Sequence, residues 1–135
     1  MNRNILRIAA ASGAVAVTLG SFGAHGLETL AENGKIETDR LSTWDTAVHY
    51  HFYHTLALCF LAVVFPYLRK NYADYSKAAF IAGICIFSGS LYILTLSPVL
   101  FNQELSWLGA IPPLGGLTFI AGWVLLFFSV KTSST

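Results

Sequence analysis

The chain has 135 residues, of which 55% are hydrophobic and only 11% charged, a composition outside that of ordinary soluble domains. Eight Lys and Arg against seven Asp and Glu leave a formal charge of +1, so there is no basic excess of the kind that holds a phosphate backbone, and nucleic acid is excluded as a partner. Cys59 and Cys85 supply neither a disulfide framework nor a Cys-x-x-Cys pair for thiol exchange or zinc.

Crossing a hydrocarbon layer of roughly 30 Å takes about 20 mostly apolar residues in a helix. Four windows meet that length: 5–27, 48–68, 78–97 and 107–130. The predicted fold is therefore an all-α membrane protein, a four-transmembrane-helix bundle forming a single domain over residues 1–135. A secretory signal peptide is the rival for the first window, because Arg3 and Arg7 precede the apolar run and Ser21-Phe22-Gly23 is an acceptable cleavage site. The run is longer than the usual signal core, and three later spans hold the chain in the membrane in either case.

Local signals set the expected helix ends. Asn33-Gly34 reads as a stop for the first helix, with Gly in the left-handed conformation. Ser42 with Asp45 reads as a capping box for the second helix. Pro66 ends or kinks that helix, Pro98 closes the third span, and Pro112-Pro113 opens the fourth regular helix. Arg3, Arg7, Arg69, Lys70, Lys77 and Lys131 fall on one side of the membrane and only Lys35 and Arg40 on the other. Short loops rich in Lys and Arg stay cytoplasmic, so both termini are expected inside, with the protein in the cell (inner) membrane.

Helix association in lipid relies on close approach of small residues. Ser12, Ala16, Gly20 and Ala24 recur every four positions on the first helix and are expected to line a contact, as are Gly115 and Gly116 on the fourth. Ala79, Gly83, Ser90 and Gly122 offer further close approaches. Trp44, Tyr50, Tyr53, Tyr92, Phe101 and Trp107 suit an outer aromatic belt; Tyr67, Tyr72 and Tyr75 suit an inner one. Trp123 is expected to fill space between helices.

All four histidines map to the outer half. Counting from Val48, His51 lies about 5 Å and His54 about 9 Å into the apolar layer, on one helical face, while His49 points away and stacks above Asp45. His25, His51 and His54 are expected to converge with Ser88, Ser90 and Tyr92 of the third span into a polar cluster. Such a cluster either binds a ligand or satisfies its own hydrogen bonds between helices. As metal ligands His25 and His54 form a weak set, since no His-x-x-x-His or Glu-x-x-His spacing accompanies them. A mid-membrane serine is expected to back-bond to a carbonyl of the preceding turn.

Four blocks carry a family resemblance: Gly20-Ser21-Phe22-Gly23-Ala24-His25-Gly26; Trp44 with Thr46-Ala47-Val48 and Tyr50-His51-x-x-His54; Phe87-Ser88-Gly89-Ser90-Leu91-Tyr92; and Pro113-Leu114-Gly115-Gly116 with Gly122-Trp123. In this order, over nearly the whole chain, they resemble the YgdD/YwdK-type family of small four-helix inner-membrane proteins of unknown function, with eukaryotic transmembrane relatives. The family pattern allows Gln or His at position 51. The resemblance thus implies the fold and weakens any site that needs both His51 and His54 as imidazoles.

Three activities lack their residues. A proton-coupled exporter needs a carboxylate deep in a helix, a disulfide-generating enzyme needs paired cysteines, and a phospholipid synthase needs clustered Asp for a metal. The remaining expectation is a structural or interaction protein that is not an enzyme and carries no cofactor. Its partners would be the lipid bilayer and either other membrane proteins or further copies of itself. The alternative is a protein that binds a small ligand, metal, haem or lipid through the histidine cluster.

Overall fold

The computed structural model describes residues 1–131. It consists of four long helices: α1 (Arg3–Glu32), α2 (Arg40–Tyr67), α3 (Lys70–Phe101) and α4 (Ser106–Ser129), each long and apolar enough to cross a membrane. Among the described residues the only β pairing is an isolated antiparallel bridge between Leu68 and Val130.

The ends of α1 follow directly from local chemistry. Asn2 caps the start, its side-chain oxygen accepting from the backbone N–H of Asn4 and Ile5 at 3.1 and 3.2 Å. At the other end Gly34 adopts φ +67°, and Lys35 N–H reaches back to the Leu30 carbonyl at 2.8 Å. That bond and Gly34 N–H to Ala31 O at 3.0 Å make the Asn33-Gly34 stop a Schellman ending.

Two expected boundaries differ. Residues 37–42 wind into a turn in which Arg40, Leu41 and Ser42 N–H bond to the carbonyls of Glu37, Thr38 and Asp39. Helix α2 therefore begins at Arg40, and Ser42 Oγ donates to the Asp39 carbonyl at 2.7 Å instead of forming a capping box with Asp45. Pro98 does not close α3, which continues through it to Phe101 and stops where Asn102 turns left-handed at φ +53°. Pro66 and Pro112 act as expected: α2 tightens into a 3-10 turn over Phe65–Tyr67, and in α4 the regular helix Pro112–Ser129 follows a 3-10 turn.

Successive helices pack α1 on α2, α2 on α3 and α3 on α4. Main-chain bonds tie one end together: Asn2 N–H to Ala62 O at 2.8 Å and Arg69 N–H to Ser129 O at 2.7 Å. This terminal end thus holds the start of α1, the end of α4 and the α2–α3 connection; the opposite, Arg40 end holds the other two connections. An apolar core of Ile5, Ala9, Leu58, Leu61, Phe80, Phe119 and Leu126 occupies the terminal half. A smaller one, Leu27, Ile36 and Trp44, lies toward the Arg40 end.

Small residues set the helix contacts. Phe119 occupies the notch over Gly83, and Phe80 the notch over Gly122, where an added Cβ would lie 2.6 Å from the ring. Ring and notch are exchanged between α3 and α4. A Cβ on Gly115 would stand 2.7 Å from Phe87 Cα, whereas one on Gly116 would meet nothing. On α1, Ser12 and Ala16 face α2 and a Cβ on Gly20 would touch Val48 at 3.4 Å, but Ala24 is exposed. Four residues turn 400°, so a strict four-residue repeat drifts off a face by about 40° per step. The face instead continues through Gly23, packed on the Trp44 ring, and Leu27, both in a π turn over Gly23–Leu27.

Candidate functional site

The polar side chains gather between the two cores, and α2 supplies the histidines. At His51 the ring joins three helices: Nε2 lies 3.1 Å from Ser12 Oγ of α1, and Nδ1 lies 3.2 Å from Tyr92 OH of α3. Ser12 Oγ is in turn 2.6 Å from Thr55 Oγ1. Because each hydroxyl both donates and accepts, the Tyr92–His51–Ser12–Thr55 chain can run in either direction.

His54, one helical turn on, faces α4. Its ring stacks on Phe119 with centroids 3.5 Å apart and planes 10° from parallel. Trp123 Nε1–H donates to His54 Nε2 at 3.3 Å, and His54 Nδ1 lies 2.8 Å from the Tyr50 carbonyl. An indole only donates and a carbonyl only accepts, so His54 carries its proton on Nδ1 and is neutral in this arrangement. Neither histidine has a ring nitrogen left over.

The other expected members divide. His25 lies exposed in the α1 π turn, apart from this network, and His49 is exposed and stacked on Tyr53. Among the described residues no three His, Cys, Asp or Glu side chains come together to hold a metal ion. Ser90 Oγ back-bonds to Phe87 O at 2.9 Å. Ser88 does not: its hydroxyl is fully buried without a hydrogen-bond partner, as is that of Thr95. The residues expected to cluster thus divide into the His51–Tyr92 pair, His54 with α4, an isolated His25 and two serines with different environments.

Sequence reasoning missed Arg40. Only 12% of its side chain is exposed; Nη2 pairs with Glu104 at 2.8 Å, and Nη1 donates to the Leu94 carbonyl at 2.7 Å. Leu94 is the residue whose carbonyl Pro98 leaves without a main-chain donor. Ser97 Oγ also donates to it, at 2.8 Å. The helix survives its proline because a guanidinium from α2 and a neighbouring hydroxyl replace the missing N–H. A proline in an apolar window was the available signal: it marks an orphaned carbonyl four residues back. Trp44 was misplaced as well, being 1% exposed with its indole N–H bonded to Leu19 O at 2.9 Å and its ring 4.7 Å from that of Tyr92. It belongs to the core beside the network, where it braces α1 on α2.

Four apolar spanning helices joined by interhelical hydrogen bonds of buried polar side chains define a small multi-pass membrane protein. A family model described as "Protein of unknown function (DUF423)" matches residues 19–116. The chain is 44% identical to UPF0382 membrane protein YwdK of Bacillus subtilis over 83% of each chain. It is 41% identical to UPF0382 membrane protein SH2409 of Staphylococcus haemolyticus over 85% of this chain and 84% of that one, and 38% identical to a UPF0382 membrane protein of Haemophilus influenzae over 99% of both. The chain belongs to this family of membrane proteins of unknown function. No solved structure matches it.

Proposed function

We propose that the protein is a structural or interaction component of the cell (inner) membrane, with both termini cytoplasmic and no chemistry of its own. The observation that carries this reading is the occupancy of all four ring nitrogens of His51 and His54 by protein groups. A ligand at either ring would displace a hydrogen bond that lipid cannot replace. The alternative, a metal, haem, quinone or lipid site using His25 and His54 with Ser88, Ser90 or Tyr92, has less support because His25 stands apart. Metal content and the visible spectrum of the purified protein separate the two: stoichiometric metal or a chromophore sinks the first reading. Co-purification in mild detergent then identifies the partner, another membrane protein or a second copy.

The orientation rests on the Lys and Arg bias. Arg3, Arg7, Arg69, Lys70, Lys77 and Lys131 belong to the terminal half, and of the two at the Arg40 end, Arg40 is ion-paired. In a background lacking Cys59 and Cys85, a cysteine at Lys35 or Gln103 is expected to react with an impermeant reagent from outside and one at Asn71 to stay unlabelled. The reverse pattern would invert the topology.

A further inference from the structure

Among the described residues, three side-chain polar atoms are buried without a hydrogen-bond partner: Arg40 Nε, Thr95 Oγ1 and Ser88 Oγ. All three belong to α2 and α3, which pack on each other, and all three lie in the half toward the Arg40 end. Ser88, Tyr92 and Thr95 share one face of α3, at spacings of four and three residues. Their α2 counterparts are Arg40, which reaches Leu94 O, and Trp44 and His51, which meet Tyr92. The mouth of this seam is polar: a cavity of about 260 Å³ is lined by Glu37, Asp39, Arg40, Thr43, Leu94 and Ser106.

We propose that the α2–α3 seam is a hydrated cleft, in which ordered water enters beside Arg40 and runs past Thr95 and Tyr92 as far as Ser88. A buried hydroxyl or guanidinium N–H is ordinarily paired, and where protein offers no partner, water with two or more polar contacts supplies it. Each orphan then has a role: Arg40 Nε donates to water at the mouth, Thr95 passes the chain inward, and Ser88 ends it one turn below Tyr92. The cleft gives the Tyr92–His51 pair proton exchange with the aqueous phase at the Arg40 end. On the terminal side the Leu58, Leu61 and Phe80 core closes the path.

The test is thiol accessibility in protein lacking Cys59 and Cys85, reconstituted in lipid nanodiscs. Thr95→Cys and Ser88→Cys are expected to react with a small methanethiosulfonate on the order of tenfold or more faster than Ala57→Cys, a buried α2 position in the apolar core, because the reactive thiolate is charged and a dry surrounding disfavours it. Rates no faster than at Ala57 overturn the proposal; reaction at Thr95 without Ser88 overturns its extension past Tyr92 to Ser88. Ser88→Ala and Thr95→Val give an independent reading that does not depend on a new thiol being accommodated. If water binds the hydroxyls, each substitution lowers the melting temperature. If the hydroxyls are dry and unpaired, removing them leaves it unchanged or raises it, and the proposal fails.

Discussion

The four histidines differ by surroundings more than by depth. His54 is stacked, bonded at both nitrogens and buried, so His54→Ala removes an aromatic contact worth about 0.5 to 1.5 kcal/mol and leaves the Trp123 indole without its acceptor. Trp123→Phe isolates the second effect, and interhelical hydrogen bonds in membranes average about 0.6 kcal/mol with a maximum near 1.7. We predict a clear fall in melting temperature for His54→Ala, a smaller one for Trp123→Phe, and near silence for His25→Ala and His49→Ala, which sit on the exposed surface. Thermal unfolding followed by circular dichroism in detergent checks the order. A damaging His25→Ala at unchanged fold would point instead to a surface function of that residue. The sequence placed His51 and His54 on one helical face because their spacing did so; that they serve different neighbours depends on where α1, α3 and α4 come to rest, which spacing on α2 alone does not encode.

At the scale of the helix, phase decides which small residue matters. Gly23 abuts Trp44 while Ala24 is exposed in the open groove between α1 and α2, so Gly23→Leu is expected to cost about 1 to 3 kcal/mol by overpacking and Ala24→Leu, which has room, little. Equal tolerance, measured as retained monodispersity and melting temperature, would mean that the π turn does not direct this face. Pro98 invites a second measurement. Arg40→Leu strips the Leu94 carbonyl of one donor and leaves Glu104 unpaired, but in a Pro98→Ala background the restored backbone N–H takes that carbonyl. The two substitutions are expected to be non-additive by about 1 kcal/mol or more, with Arg40→Leu milder once Pro98→Ala is in place; a strictly additive cycle refutes the substitution of guanidinium for backbone. Helix existence and the Gly34 and Pro112 boundaries were legible because they depend on local conformational limits. The α2 start and the passage of α3 through Pro98 were not, since each rests on contacts between segments more than fifty residues apart or on a turn without a strong sequence mark.

At the scale of the molecule, α1 packs chiefly on α2, whereas α3 and α4 interlock ring into notch. The bundle therefore reads as one tight pair, a central α2 and an outer helix joined to it by small residues, the Ser12 bonds and the Trp44 brace. Helices that are individually stable in a bilayer can assemble without a covalent link. We predict that residues 1–34 and 35–135, co-expressed as separate chains, co-purify as a complex, and that Ser12→Leu in the shorter piece abolishes recovery. Failure of the unmodified pieces to associate would show that the 33–39 connection holds α1 in place and the packing does not.

The arginine beneath Pro98 also carries a statement about ancestry. A proline arriving first at position 98 would have left the Leu94 carbonyl to the Ser97 hydroxyl alone; an arginine arriving first at position 40 would have entered the first turn of α2, within reach of Glu104. The less costly order is Arg40 and then Pro98, after which loss of the arginine takes from the Leu94 carbonyl one of its two side-chain donors. Within the family, the two sites are expected to be inherited as a pair, with lineages lacking the proline free to vary at position 40 and lineages keeping it bound to a side chain that can reach across and donate.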